Sequence, residues 1–274
     1  MLFKLQSLYR KNFTKRSVQN SYNICLVLEY NGSGFHGWQI QPDQRTIQEE
    51  LHKTLETITG EKIKSLIASG RTDAGVHARR QVVNFRTKKE YDLSKLIFGV
   101  SGLLRSEVSV VHAFYAAPDF HSQRTAIRKR YVYYIERRKS NPVLYAGKSW
   151  HVYGDLDMDL IFQEATHLIG KYDFTSFRAA NCGSVSPIKE VYKSSFSLDK
   201  SVLKYTIEGS GFLKQMVRII VGTLIERGRG KLDLSVREIL NLKDRNAAGI
   251  TAPSHGLFLD NVEYPEFSIE KLLA

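Results

Sequence analysis

Apolar residues in this chain recur now with the period of a strand, now with that of a helix, and the resulting order of elements narrows the fold more than any other feature. Asn23 to Tyr30 (NICLVLEY) reads as a buried strand. After a glycine-rich loop, Thr46-Ile47-Gln48-Glu49 has the pattern of a capping box, and Ile47, Leu51, Leu55 and Ile58 share one face of the helix it opens. Gly60 stands where helices commonly end in left-handed backbone. Ile63 to Ala68 and Gln81 to Phe85 are expected as short strands joined by a Gly70 to Arg80 loop. Asp92 caps an apolar-striped helix to Leu104, and Val108 to Phe114 is again a strand. The order is β-α-β-β-α-β.

The remainder repeats it. Tyr131 to Glu136 reads as a strand, Met158 to Ile169 as a helix, Ile188 to Ser197 and Val202 to Glu208 as a strand pair, Phe212 to Glu226 as a helix, and Leu257 to Val262 as a strand. Such a chain is α+β: two similar split-βαβ, ferredoxin-like halves whose antiparallel sheets meet around a central cleft. Ala116-Ala117-Pro118-Asp119 marks the junction. The expected division is a basic tail over 1–22, an N-terminal half over 23–117 and a C-terminal half over 118–274.

The 274 residues include 40 Lys+Arg against 28 Asp+Glu, a net charge of +12. That excess favours a polyanionic partner, because neutralised phosphates release condensed counterions. Only Cys25 and Cys182 occur, far apart and without C-x-x-C, which excludes a disulfide scaffold and fits a reducing, cytoplasmic setting. The longest apolar-rich stretch, Phe212 to Ile225, holds Lys214 and Arg218 and is shorter than the roughly 18 residues of a membrane span, so no membrane association is expected. Met1 to Tyr22 carries Lys4, Arg10, Lys11, Lys15 and Arg16 with no acidic residue. It reads either as a basic tail that helps hold nucleic acid or as a transit peptide, which would change the location to an organelle.

Gly32-Ser33-Gly34-Phe35-His36-Gly37 matches G-x-G-x-x-G after a strand, but Trp38 to Pro42 follow where a helix should start, so no nucleotide cofactor is expected. The histidines form no tight ligand pair and neither cysteine has a ligand-type neighbour at finger spacing, so no metal is expected.

Gly70-Arg71-Thr72-Asp73-Ala74-Gly75-Val76-His77 sets a cation, a hydroxyl and a carboxylate between glycines. Taken alone, it is equally a polar hairpin, since Asp and Gly are ordinary turn residues. This run, with YNGSGFHGWQ before it, KRYVY after it, FLKQMVRIIVG at Phe212 to Gly222 and GLFL at Gly256 to Leu259, resembles the TruA family of tRNA pseudouridine synthases. The resemblance extends from about Tyr22 to Tyr264. It implies two RNA-recognition-like halves, a homodimer, no cofactor, and conversion of uridine to pseudouridine in the anticodon stem-loop of tRNA.

That reaction breaks the N1–C1′ bond of uridine and rejoins the turned base through C5. It exchanges no electrons and imports no group, so it calls for an anionic nucleophile or cation stabiliser, a holder for the detached base and a proton acceptor. The resemblance makes Asp73 the catalytic carboxylate; attack on C1′, attack on C6 and glycal formation all stay open. A carboxylate in a water-poor pocket loses its charge unless a cation compensates. Arg218, amid Met216, Val217, Ile219, Ile220 and Val221, is the candidate cation, because a guanidinium there must find an anion or snorkel to solvent.

The resemblance has Tyr131 stack on the uracil or take the proton released on isomerisation, and Leu257 pack beside the base. It has Arg71 fill the space that the extruded nucleotide leaves. Arg130, with Arg124, Arg128, Lys129, Arg137, Arg138 and Lys139, and with Lys214, Arg227, Arg229 and Lys231 beyond them, reads as a set of phosphate contacts. The alternative function is a basic RNA-binding protein with a pseudoenzyme fold.

Overall fold

The computed structural model describes residues 21–273, so the first twenty residues of the expected tail lie outside it. Strand β1 (Tyr22–Tyr30) is followed by α1 (Ile47–Thr59), β2 (Ile67–Ala68), β3 (His77–Thr87), α2 (Leu93–Leu103) and β4 (Val108–Tyr115). The second half contributes β5 (Arg128–Glu136), β6 (Trp150–His151), α3 (Met158–Thr166), β7 (Gly170–Asp173), β8 (Ile188–Asp199) and β9 (Val202–Gly209). It closes with α4 (Met216–Gly228), α5 (Val236–Leu242), β10 (Leu257–Glu263) and α6 (Ile269–Leu273).

The α+β architecture and its two halves stand as the sequence implies. In the first half the strands lie in the order β4-β1-β3-β2, and in the second in the order β10-β5-β9-β8, with β7 added at the edge and β6 beside β5. Numbered within each half, both read fourth, first, third, second. The two sheets are continuous where they meet: β10 pairs antiparallel with β5 and parallel with β3 through Phe258↔His77 and Leu259↔Ala78. The seam is therefore parallel, although the pairing inside each β-α-β-β-α-β unit is antiparallel.

Local chemistry explains most element ends. The Thr46 hydroxyl caps α1 by accepting from the Glu49 amide at 3.4 Å, and Gly60 ends that helix at φ 65°. The return arm of the expected capping box does not form, because the Glu49 carboxylate reaches Lys53 at 2.6 Å. A complete box stands instead at Ser235 and Glu238, opening α5.

Helix α4 begins at Met216, four residues later than the apolar run suggests, because Gln215 adopts φ 60° in the left-handed region. Strand β3 starts earlier than Gln81 and takes in His77. β2, expected from Ile63, is confined to two residues.

Ten of the thirteen residues of α4 are buried, so it is a central rather than a surface helix, which accounts for an apolar sequence on every face. Each fully buried Ile or Leu there, such as Ile219, Ile220 and Leu224, contributes about 1.5–3 kcal/mol. Gly222 lets this helix approach residues 250–252: a Cβ on it would lie 1.9 Å from the Ile250 carbonyl oxygen. No helix among the described residues is long and apolar enough to cross a membrane.

Candidate active site

The polar run singled out in the sequence forms the loop of residues 69–76 between β2 and β3, at the end of β3 where β10 docks. The loop is braced from beneath by the first half. The Tyr30 hydroxyl and the Thr72 hydroxyl share a hydrogen bond of 2.9 Å, and Gln81 donates to the Gly70 carbonyl at 2.8 Å while accepting from the Ser69 hydroxyl at 2.5 Å. Burial pushes the Tyr30 hydroxyl up to about 12, against the opposing pull of Thr72 and Gln81, so it stays a neutral phenol.

The glycine run that mimics a dinucleotide motif has its place here. The Trp38 amide donates to the Thr72 carbonyl at 3.0 Å and the Gly75 amide to the Phe35 carbonyl at 3.2 Å. Gly37 has φ 89°, and a Cβ on it would come within 2.7 Å of the Thr72 oxygen. Only glycine permits that approach. Residues 32–38 are thus a backbone cradle for the loop.

The second half reaches the loop at three points. Lys129 donates from Nζ to the Ser69 carbonyl at 2.6 Å, Arg218 donates from Nη1 to Asp73 Oδ2 at 3.2 Å, and His77, at the loop's far end, lies within 3.1 Å of the His255 carbonyl. The Arg218 side chain is 15% exposed and that of Asp73 26%, so the guanidinium turns inward to its anion instead of snorkelling. Its Nε donates to the Ala252 carbonyl at 2.8 Å, which fixes the fork.

Tyr131 and Tyr133 share one face of β5, opposite Leu259 and Leu257 of β10 respectively. Tyr131 is buried, with Phe212 edge-on to its ring at 5.2 Å and 86°. Phe212 is free for this contact because α4 starts late. Burial holds the Tyr131 hydroxyl well above the ordinary tyrosine range, and Tyr30 and Asp73 add to the effect. Tyr133 donates to the Pro253 carbonyl at 2.7 Å, and Gly256 leaves room for its ring. Leu257 is buried at the start of β10.

Arg71 is exposed, and no ion pair holds it among the described residues. Arg130 is not brought to the site. It alternates with Tyr131 on β5 and so faces the other side of the sheet, where Glu208 accepts from it at 2.8 Å, Glu270 at 3.0 Å, and Asp260 lies at 3.6 Å. Those carboxylates hold its guanidinium in the charged form against its partial burial. Arg128 is likewise paired with Glu208 and Glu263, and Arg138 with Glu136. The basic run is therefore not a uniform phosphate-binding stripe.

Sequence reasoning missed Tyr30, Gln81, Phe212 and His77, whose roles depend on contacts between distant segments.

Two α+β halves of one strand order, with a carboxylate and a guanidinium meeting between them, correspond to a known class of enzyme. The family described as tRNA pseudouridine synthase matches residues 26–122 and 165–265, and the chain belongs to that family of uridine isomerases. Asp73 and Arg71 lie in the first matched stretch and Arg218 and Leu257 in the second, while Arg130 and Tyr131 lie between the two. Among its relatives, the chain is 40% identical over 243 residues to the tRNA pseudouridine synthase A of Thermoanaerobacter sp. (strain X514), covering 88% of this chain and 99% of that one. It is 38% identical to the protein of the same name from Bacillus subtilis (strain 168), covering 88% and 98%. The counterpart in Myxococcus xanthus is 39% identical, covering 88% and 91%.

Proposed function

We propose that this chain isomerises uridine to pseudouridine in the anticodon stem-loop of tRNA, with Asp73 as the catalytic carboxylate. The observation that carries this reading is the Asp73–Arg218 contact of 3.2 Å, formed between residues 145 positions apart and from different halves. Each candidate first step (attack on C1′, attack on C6 or elimination to a glycal) needs the carboxylate as an anion, and a guanidinium fixed at its Oδ2 supplies that condition. The atoms balance without a co-reactant: the N1–C1′ bond breaks, a C5–C1′ bond forms, and the proton on C5 leaves as N1 gains one.

Tyr131 serves as the platform on which the base turns. An aromatic face binds a base in any rotational state, and Phe212 holds the ring still. A phenol held so far above its ordinary range stays protonated in the free site and is not available there as a proton acceptor, so stacking is favoured over proton abstraction as its first role. Leu257 packs at the same face, two residues from the Leu259 that opposes Tyr131. Arg71, exposed on the loop two residues before Asp73, occupies the gap left by the extruded nucleotide. Arg130 takes no part in this reading, because three carboxylates occupy it.

A homodimer is supported by the exposed apolar turn Val143–Tyr145, whose Leu144 is 90% exposed. A cytoplasmic setting is supported by the two free cysteines. The test is to incubate unmodified tRNA with purified protein and map pseudouridine at nucleotide resolution. Product confined to the anticodon arm is the expected result. Product in another arm overturns the substrate assignment, and none at all favours an RNA-binding pseudoenzyme.

A further inference from the structure

His77 closes the polar motif, is 1% exposed, and takes no part in the chemistry outlined above. Its ring stacks on Phe258 at 4.6 Å and 20°, at the residue pair where β3 meets β10. Nδ1 lies 3.1 Å from the Gly32 amide, and Nε2 lies 3.0 Å from the Gly147 carbonyl and 3.1 Å from the His255 carbonyl.

These partners define the proton's place. An amide N–H only donates, so Nδ1 must be the acceptor; a carbonyl only accepts, so Nε2 must carry the hydrogen. A second proton, on Nδ1, would face the Gly32 N–H and break that bond. One side chain therefore ties the cradle of the first half to two segments of the second, four residues beyond Asp73. The segment it holds, through His255, is continuous with Pro253, which accepts from Tyr133, and with Ala252, which accepts from Arg218.

We propose that His77 is a positioning residue which, as the neutral Nε2–H tautomer, sets the register of the Asp73 loop against the segment that anchors Arg218. The proposal deepens the reading given above and rests on it. Burial works against charging the imidazole, and the nearby Lys148 and His255 act in the same sense, while the two carbonyls on Nε2 oppose them. From the cradle side the facing group is the Gly32 amide.

Two variants separate the arms of the bridge. An Asn amide reaches the place of Nδ1 and a Gln amide that of Nε2, so His77→Asn keeps a partner for Gly32 and His77→Gln keeps the donor to the second half. Under the proposal each variant lowers single-turnover kcat at pH 7.5 by roughly tenfold or more, since small displacements of reacting groups cost that much. The tRNA Kd stays within about twofold, because phosphate contacts supply affinity. The wild-type rate falls with acid as His77 gains its second proton, and neither variant shows that component of the limb.

Wild-type kcat in either folded variant, or an unchanged acid limb, overturns the proposal. A drop in Tm with kcat per folded molecule intact does the same, since it reveals a structural role only. Should both variants fold poorly, the nitrogen-15 histidine spectrum of the intact wild-type protein still decides. It must show a neutral Nε2–H ring for His77 at pH 7, and an Nδ1–H or doubly protonated ring refutes the assignment. That spectrum needs no RNA, so its result is independent of whether tRNA is the substrate.

Discussion

The two halves share a strand order but differ at one connection. In the second half β8 is twelve residues long and pairs with β9 from Val191 to Asp199, and the link between them is residues 200–201, with Lys200 at φ 53°. In the first half the equivalent strand β2 is two residues long, and the link to β3 is residues 69–76. One connection is a tight turn and the other carries Asp73.

The shortening of β2 has two consequences. It frees the beginning of β3 for β10, which joins the sheets, and it places the lengthened link at the seam, where side chains of both halves can reach it. A site built where two sheets merge is served by residues of both, and neither half alone contains Asp73 and Arg218.

Four experiments bear on this contrast, and the largest effect belongs to the long link. Asp73→Asn should lower product formation by roughly 10⁴-fold or more, as for loss of a principal catalytic group, with the tRNA Kd within about twofold. Turnover near that of the wild type would place the chemistry elsewhere. Across the seam, Arg218→Met keeps most of the stem's packing and removes the charge, for an expected loss of about 10²-fold. Combined with Asp73→Asn it should be hardly worse than Asp73→Asn alone, because the two groups serve one function. Additive losses would show that the pair does not act as a unit.

A smaller effect concerns Lys129, whose ammonium is lowered to about 8, first by burial and then by Lys189. The sign follows: its charge is present below pH 8 and lost above. At constant ionic strength the wild-type tRNA affinity should decline between pH 7 and 9 by about one phosphate contact's worth, and Lys129→Met should be flat across that range. A parallel decline in both would remove Lys129 from the RNA-facing surface. The smallest effect belongs to the short link. Lys200→Gly relieves a left-handed residue and should stabilise by about 0.5 kcal/mol, read as a small rise in Tm, with kcat unchanged. A change in kcat there would mean that the short link also serves the reaction.

Much of this was legible residue by residue. The run from Asn23 to Tyr30 could bury both faces only inside a sheet, Thr46 and Gly60 marked the ends of α1, and Asp92 marked the start of α2. Arg218 amid apolar neighbours had to meet an anion or reach solvent, and the structure supplies the anion. The Ser235-x-x-Glu238 capping box of α5 is a signal of the same local kind. The glycine run 32–37 resembles a cofactor motif because close backbone approach is what such motifs also require; here Gly32 and Gly37 approach the backbone of the Asp73 loop, whereas Gly34 faces the Glu107 and Arg45 side chains.

By itself, then, the amino-acid sequence determined what depends on neighbours along the chain: periodicity, caps, the α+β class and the polar run that marks the family. The tertiary structure alone decided which residues meet. Arg130 and Tyr131 are adjacent in sequence, yet strand alternation sends one to a cluster of carboxylates and the other to the face shared with Leu257. Gln215 delays α4 by adopting a left-handed backbone, and so releases Phe212 to hold Tyr131. His77, Tyr30 and Gln81 join segments up to 178 positions apart, within the first half or across the two, and no local pattern encodes such contacts, because they exist only once burial has brought distant segments together.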